Sequence, residues 1–166
     1  MSAFTDSIAT KAAEARRRIV LPEGHDPRTL AAARRLREDG LAVPVLLGPG
    51  DGVRRGLEAA GDDPGAYEIL DPCDDARHDA FVETLLELRR DRGLTEDEAR
   101  RWARQPLIFG ALLVRAGEVA GSVAGADHTT GDVIKAAVRC VGMRPGISIV
   151  SSTFFMVCRP FRPGDE

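Results

Sequence analysis

One short polar stretch of this 166-residue sequence, at 126–132, concentrates the side chains most suited to chemistry. It lies between an apolar run and a run with helical apolar spacing, and Lys135 follows about one helical turn later. Open α/β sheets bind ligands at such turns, and the free N–H groups of a helix start suit an anion. The alternative is a purely structural helix cap. The candidate ligand-binding side chains of this stretch are His128, Thr129 and Thr130.

Three other places hold candidate side chains, each with a structural alternative. Arg28 follows a helix start, Asp26-Pro27, after the first expected strand, and the alternative is a solvated arginine beside a capped helix. Arg89 belongs to a basic cluster where a helix ends, and the helix dipole alone favours cations there. Ser151 and Ser152 interrupt an apolar run, so they either line a cleft or need buried partners.

The composition excludes several classes of protein. A net charge of −3 gives no basic balance for nucleic acid, and no apolar run approaches the ~20 residues of a membrane helix. Three cysteines without a close pair fit reduced thiols in a cytoplasmic protein. The three histidines are scattered, so we expect no metal site. One domain is the simplest organisation at this length.

Apolar strands alternate with helices along the whole chain, which predicts an α/β fold with helices on both faces of a mostly parallel sheet. Local signals mark two helix starts: Asp26-Pro27, and the capping box Thr95-Glu-Asp-Glu98. The strands are expected at 18–21, 41–47, 67–70, 119–125 and 146–157.

Four stretches together resemble the phosphate acetyl/butyryltransferase, or phosphotransacetylase, family. They are IVLPEGHDPRTLAAA at 19–33, ELRRDRGLTEDEA at 87–99, AGADHTTGDVIKAA at 124–137 and PGISIVSSTFFM at 145–156. The resemblance implies a three-layer α/β/α sandwich similar to isocitrate and isopropylmalate dehydrogenases, with a cleft between two domains.

The same resemblance divides the chain and implies a reaction. It makes 1–158 the first, N-terminal domain, with the second domain absent. The residues at 159–166 themselves predict an exposed tail. Family members convert acetyl phosphate and CoA into acetyl-CoA and phosphate. CoA is then a substrate, and no cofactor is expected to be tightly bound.

The resemblance also suggests roles for individual residues. His128, Thr129 and Thr130 match the polar loop that faces the acyl phosphate. Lys135 stands where most members have an arginine, which keeps the charge but loses the bidentate fork. The remaining matches are Arg28 and Arg89, with arginines that bind CoA and phosphate groups, and Ser151 and Ser152, with a hydroxyl-rich strand near the cleft.

Family members are about twice as long, and their proposed catalytic groups lie in the half that has no match here. We therefore expect no catalytic residue in this chain, which would supply the first-domain wall of the cleft and be inactive alone. The alternative is a non-catalytic, regulatory module that binds CoA or acyl phosphate. The expected partners are these small molecules and either further copies of the chain or a complementing second half.

Overall fold

The computed structural model describes residues 3–157, and the tail expected at 159–166 lies outside this range. Its sheet has four parallel strands in the order β3-β2-β1-β4. The strands are β1 (Arg18–Leu21), β2 (Val43–Leu47), β3 (Glu68–Leu70) and β4 (Gly121–Ser122). The helices are α1 (Ala3–Ala15), α2 (Pro27–Glu38), α3 (Gly50–Ala59), α4 (His78–Leu88), α5 (Glu96–Ala103), α6 (Pro106–Arg115) and α7 (Thr130–Cys140), with short 3-10 turns at Pro64–Ala66 and Arg90–Arg92.

Helices cover both faces of the sheet. Successive strand residues point to opposite faces, so each strand contributes side chains to both helix layers. Leu21 and Leu46 pack on one side against apolar residues of α2 and α3. Val20 and Val45 pack on the other side in a larger core with residues of α4, α5, α6 and α7, including Phe109. This arrangement confirms the predicted α/β/α layering and the parallel sheet.

Local sequence rules predicted the helix starts correctly. The Asp26 carboxylate accepts a hydrogen bond from the Arg28 backbone N–H at 2.8 Å, with proline in the first turn of α2. At the start of α5, the Thr95 hydroxyl accepts from Glu98 N–H at 3.3 Å, and Glu98 accepts from Thr95 N–H at 3.0 Å. These reciprocal bonds satisfy N–H groups that lack a partner inside the helix.

Two strand predictions need correction. The strand expected at 119–125 is reduced to Gly121–Ser122, and the one expected at 146–157 does not form within the described residues. Residues 143–157 have neither helix nor strand and are exposed, with Phe154 87% accessible. A strand requires hydrogen bonds to a neighbour, and the apolar pattern alone does not provide one. Ser151 and Ser152 are therefore exposed instead of lying in the sheet.

Among residues 3–157, no helix combines the length and apolar character needed to cross a membrane.

Candidate functional site

The polar loop after β4 and the segment after β1 lie side by side at the carboxyl edge of the sheet. The two strands are parallel neighbours, and the pairing continues one residue past β4, where Val123 N–H donates to the Val20 carbonyl at 3.0 Å. Residues 23–28 and 125–128 therefore leave the sheet together. This edge is where parallel α/β sheets bind their ligands.

Glu23 is the central group of this edge, and its side chain is only 2% exposed. Its Oε2 accepts hydrogen bonds from the backbone N–H groups of Gly125 and Ala126, at 2.9 and 2.8 Å. Its Oε1 accepts from those of Asp127 and His128, both at 2.9 Å, and also contacts His128 Nδ1 at 2.9 Å. A protein carboxylate thus occupies the anion-binding concavity of the loop.

These contacts also fix the ionisation of Glu23. Burial by itself would raise the pKa of this carboxyl, but the hydrogen bonds from Asp127, Ala126 and His128 outweigh it and lower the pKa to about 2. The group is therefore ionised at neutral pH. It is also a residue that sequence reasoning missed, because its partners are 102 to 105 positions away in the sequence. The only local signal was a carboxylate two residues after the end of a strand.

Two more residues of the same segment hold the loop. Arg28 donates to the Ala126 carbonyl and, through Nε and Nη2, to the Asp26 carboxylate at 3.0 and 2.6 Å. His25 Nε2 lies 2.9 Å from an Asp127 carboxylate oxygen. We call Glu23, His25 and Arg28 the clasp, since each bonds to the loop at 125–128.

The clasp already engages polar groups of both segments. The loop N–H groups at 125–128 donate to Glu23, so in this structure they are not available to a phosphate. Arg28, expected to bind CoA or phosphate groups, uses Nε and Nη2 within the clasp, although its side chain remains 71% exposed. Hydrogen bonding to Arg28, above all, lowers the pKa of Asp26 to about 2, so the Asp26–Arg28 pair stays charged.

The two threonines of the loop divide their roles. Thr129 is the N-cap of α7: its hydroxyl accepts from Asp132 N–H at 3.2 Å and lies 2.6 Å from the Asp132 carboxylate. Thr130 is the first residue of α7 and is exposed. The Thr130 hydroxyl is therefore available to a ligand, whereas the Thr129 hydroxyl caps α7.

His128 borders a groove of about 230 Å³ that continues along α7. Its side chain is 33% exposed, and its Nδ1 faces Glu23. Asp132 also lines this groove, as do Lys135 and Arg139, which follow Asp132 by about one and two helical turns. The structure thus brings together His128 and Lys135, two of the residues that the sequence singled out.

Four cationic side chains line a second, adjoining groove of about 410 Å³ between the end of α4 and the outer face of α7. We call it the basic groove; its cations are Arg89, Arg92, Lys135 and Arg139. Lys135 Nζ lies 3.6 Å from Asp132, the carboxylate that Thr129 also contacts. Within residues 3–157, the three arginines form no ion pair with a carboxylate, and the buried Nε of Arg89 has no hydrogen-bond partner.

One aromatic ring supports the basic groove. The Arg139 guanidinium lies over the Trp102 ring, 4.4 Å from its centre, in a cation–π contact. This contact holds the cation on the surface without neutralising it. Ser151 and Ser152, by contrast, lie in the exposed segment 143–157, and no hydrogen bond joins them to the loop or the basic groove within the described chain.

No group of three or more His, Cys, Asp or Glu side chains within residues 3–157 is arranged to hold a metal ion. The two grooves combine four cations with the imidazole of His128 and the carboxylate of Asp132. The cations are suited to phosphate-bearing ligands.

Known proteins with similar sequence and structure agree on one family. The family model for phosphate acetyl/butaryl transferase matches residues 3–165. The phosphate acetyltransferase of Deinococcus radiodurans is 40% identical over 94% of this chain and 22% of that protein. That of Thermoanaerobacterium thermosaccharolyticum is 39% identical over 90% of this chain and 45% of that protein.

Solved structures give the same result. A phosphotransacetylase from Streptococcus pyogenes superposes with a TM-score of 0.83 at 34% identity, covering 90% of this chain and 46% of that one. A phosphotransacetylase from Staphylococcus aureus gives 0.79 at 30% identity, covering 87% and 43%. The chain spans less than half the length of each of these four proteins. It belongs to the phosphate acetyl/butaryl transferase family.

Proposed function

We propose that this chain forms one wall of the CoA and acyl-phosphate cleft of a phosphate acyltransferase. The reaction is the reversible conversion of acetyl phosphate and CoA into acetyl-CoA and phosphate. The observation that carries the proposal is the basic groove, which gathers four cations in a member of this family and shares Lys135 and Arg139 with the groove that His128 borders.

The charge balance of the basic groove supports this proposal. Arg89 and Arg92 follow the C-terminal end of α4, where the helix dipole favours a cation by about 0.3–1 kcal/mol. That contribution does not account for Lys135, which lies in the middle of α7. Like charges lining one groove repel one another, and a ligand with several phosphate groups relieves this repulsion. CoA is such a ligand, and acetyl phosphate brings a single phosphate group.

We assign the polar groups by their chemistry. Arg89, Lys135 and Arg139 bind phosphate oxygens, and the exposed Thr130 hydroxyl donates to the acyl phosphate. When the CoA thiolate attacks the acyl carbon, the carbon–oxygen bond to phosphate breaks and negative charge grows on the leaving phosphate. Fixed cations stabilise this charge in the transition state.

The relatives are more than twice as long as the part of them that this chain matches. We assign the remaining catalytic groups to the part of the relatives that this chain does not cover. The chain alone then binds CoA but does not turn it over. It completes its cleft with a second polypeptide portion or associates with copies of itself.

A second candidate function is a non-catalytic module that binds CoA or acyl phosphate. Lys135 favours it, because an ammonium group does not form the two parallel hydrogen bonds of a guanidinium with phosphate. In this case the basic groove senses a metabolite and takes no part in a reaction.

An assay of acetyl-CoA formation separates these possibilities. Purified chain is supplied with acetyl phosphate and CoA, alone and mixed with the portion of the Streptococcus pyogenes protein that the chain does not cover. We expect CoA binding by calorimetry in both samples and turnover only in the mixture. Turnover by the chain alone would contradict our assignment of the catalytic groups. Binding without turnover in either sample favours the regulatory module, and the absence of binding overturns both functions.

A further inference from the structure

We propose that Asp132 is a positioning residue that holds Lys135 in the ligand-free chain, so a phosphate group must displace this carboxylate before it can bind the ammonium group. The contact between the two side chains stands on the structure alone. Its consequence for CoA and acetyl phosphate rests on the proposed function, in which Lys135 binds phosphate oxygens.

Two hydrogen bonds with Thr129 fix Asp132 at the start of α7. The Thr129 hydroxyl donates to Oδ2 of the carboxylate at 2.6 Å, and its oxygen accepts from Asp132 N–H at 3.2 Å. Hydrogen bonding to Thr129, above all, lowers the pKa of Asp132, and the charge of Lys135 lowers it further. The carboxylate is therefore ionised at neutral pH, and it cannot rotate away without losing the Thr129 hydroxyl.

The second oxygen of the same carboxylate faces Lys135. Oδ1 of Asp132 lies 3.6 Å from Nζ, which belongs to the next turn of α7. Lys135 is thus the only cation of the basic groove that has a carboxylate partner within residues 3–157. Asp132 lines the groove beside His128, whereas Lys135 lines both grooves. The ion pair therefore attracts the ammonium group toward the His128 groove and away from the three arginines.

The geometry of the pair indicates a weak hold on the ammonium group. At 3.6 Å the two atoms are too far apart for a good hydrogen bond, and the side chains of Lys135 and Asp132 are 65% and 47% exposed. Exposed pairs of this kind change an equilibrium constant by about 1.5- to 5-fold. The flexible four-carbon stem of lysine lets Nζ move from Asp132 to a phosphate in either groove. Asp132 therefore lowers the affinity of Lys135 for phosphate without blocking it.

A pair with the same spacing elsewhere in the molecule provides a matched control. Asp51 and Arg54, near the start of α3, are also three residues apart, with 3.6 Å between a carboxylate oxygen and a guanidinium nitrogen. The Asp51 side chain is 88% exposed, and Pro49, the N-cap of α3, has no hydroxyl to hold it. Arg54 is not one of the four cations of the basic groove. Removing the charge of Asp51 should therefore leave ligand binding unchanged.

A double-mutant cycle in the full chain, measured by calorimetry with CoA and with acetyl phosphate, tests the positioning role. Asp132→Asn removes the charge but keeps an acceptor for the Thr129 hydroxyl, and we expect both ligands to bind about two- to fivefold more tightly. The gain should disappear when Lys135→Gln is also present, and Asp51→Asn should cause none. An equal gain with and without Lys135 would show that Asp132 repels the ligand directly, and it would overturn the proposal, as would unchanged or weaker binding.

Carbon-13 NMR of the Asp132 carboxyl group tests the contact without any ligand. Lys135→Gln should raise the pKa of this carboxyl, because it removes a cation that favours the ionised form. The control Arg54→Gln should leave that pKa unchanged. If Lys135→Gln also leaves it unchanged, the contact does not form in solution and the proposal is overturned. If the contact is confirmed but no variant binds CoA or acetyl phosphate, the proposed function fails, and the effect of Asp132 on ligands fails with it.

Discussion

The loop at 125–128 and the basic groove lie next to each other, but they differ in whether their polar groups have hydrogen-bond or ion-pair partners. In the loop, a buried carboxylate satisfies four successive N–H groups and one imidazole nitrogen. In the basic groove, three guanidinium groups have no carboxylate partner within residues 3–157, and one buried Nε has no hydrogen bond. The polar and charged residues of these two regions therefore have two different roles. The satisfied ones hold the site in shape, and the unsatisfied ones are available to a ligand.

Removing the Glu23 carboxylate should have the largest effect, because it takes away the partner of the loop's N–H groups. Glu23→Ala leaves several buried donors without an acceptor, and we expect it to lower the free energy of unfolding by about 3–5 kcal/mol. Urea denaturation measures the loss. The control Glu38→Ala removes an exposed carboxylate that pairs with Arg34 at 2.8 Å, and it should cost less than about 1 kcal/mol. Equal losses in both variants would show that the loop does not depend on its buried anion.

Acid should weaken the loop through the same carboxylate. The pKa of Glu23 is about 2 in the folded chain and near 4.5 when unperturbed, so its stabilisation is present above pH 4.5 and is lost as the pH falls toward 2. The difference is worth about 3 kcal/mol. The stability gap between wild type and Glu23→Gln, measured by urea denaturation, should therefore narrow over this range. If the difference in free energy of unfolding stays constant from about pH 5 to about pH 2.5, Glu23 does not have a lowered pKa in the folded chain.

Neutralising the basic groove should affect ligands and spare the fold. Arg89→Gln removes a cation whose buried Nε has no partner, so we expect no loss of stability but about 10- to 100-fold weaker CoA binding. Calorimetry measures the binding, and urea denaturation measures the stability. Arg54→Gln is the matched control, because Arg54 is exposed on α3 and contacts Asp51 at 3.6 Å. Equal effects of both variants on CoA binding would mean that the basic groove attracts CoA only by general charge.

The smallest expected effect concerns Lys135, one cation of the basic groove. Lys135→Arg keeps the charge and adds a planar fork for phosphate, so we expect acetyl phosphate and CoA to bind a few-fold more tightly. Competition between the two proteins for limiting ligand is sensitive enough to detect this. Unchanged or weaker binding would indicate that Lys135 does not touch phosphate.

Local rules predicted much of the fold. The starts of α2 and α5 follow from Asp26-Pro27 and from Thr95 with Glu98, because a capping residue contacts only its immediate neighbours. The segment 146–157 was predicted wrongly as a strand, since strand formation depends on a neighbour that no local pattern reveals.

Prediction of the candidate site was limited in the same way. The loop with His128 was recognised from its composition, but Glu23 was not, because its role depends on folding across more than one hundred residues. Arg28 was recognised as a polar group at the correct edge. Only the structure shows that it donates to Asp26 and Ala126, and that loop and groove use their polar groups differently.

The Trp102–Arg139 contact gives the molecule its own optical reporter. Trp102 is the only tryptophan of the chain, and its ring lies 4.4 Å from a cation of the basic groove. A ligand that draws Arg139 toward its phosphate oxygens changes the electric field at the indole ring. Tryptophan emission will then follow occupancy of the groove in solution, without a label and in the unmodified chain.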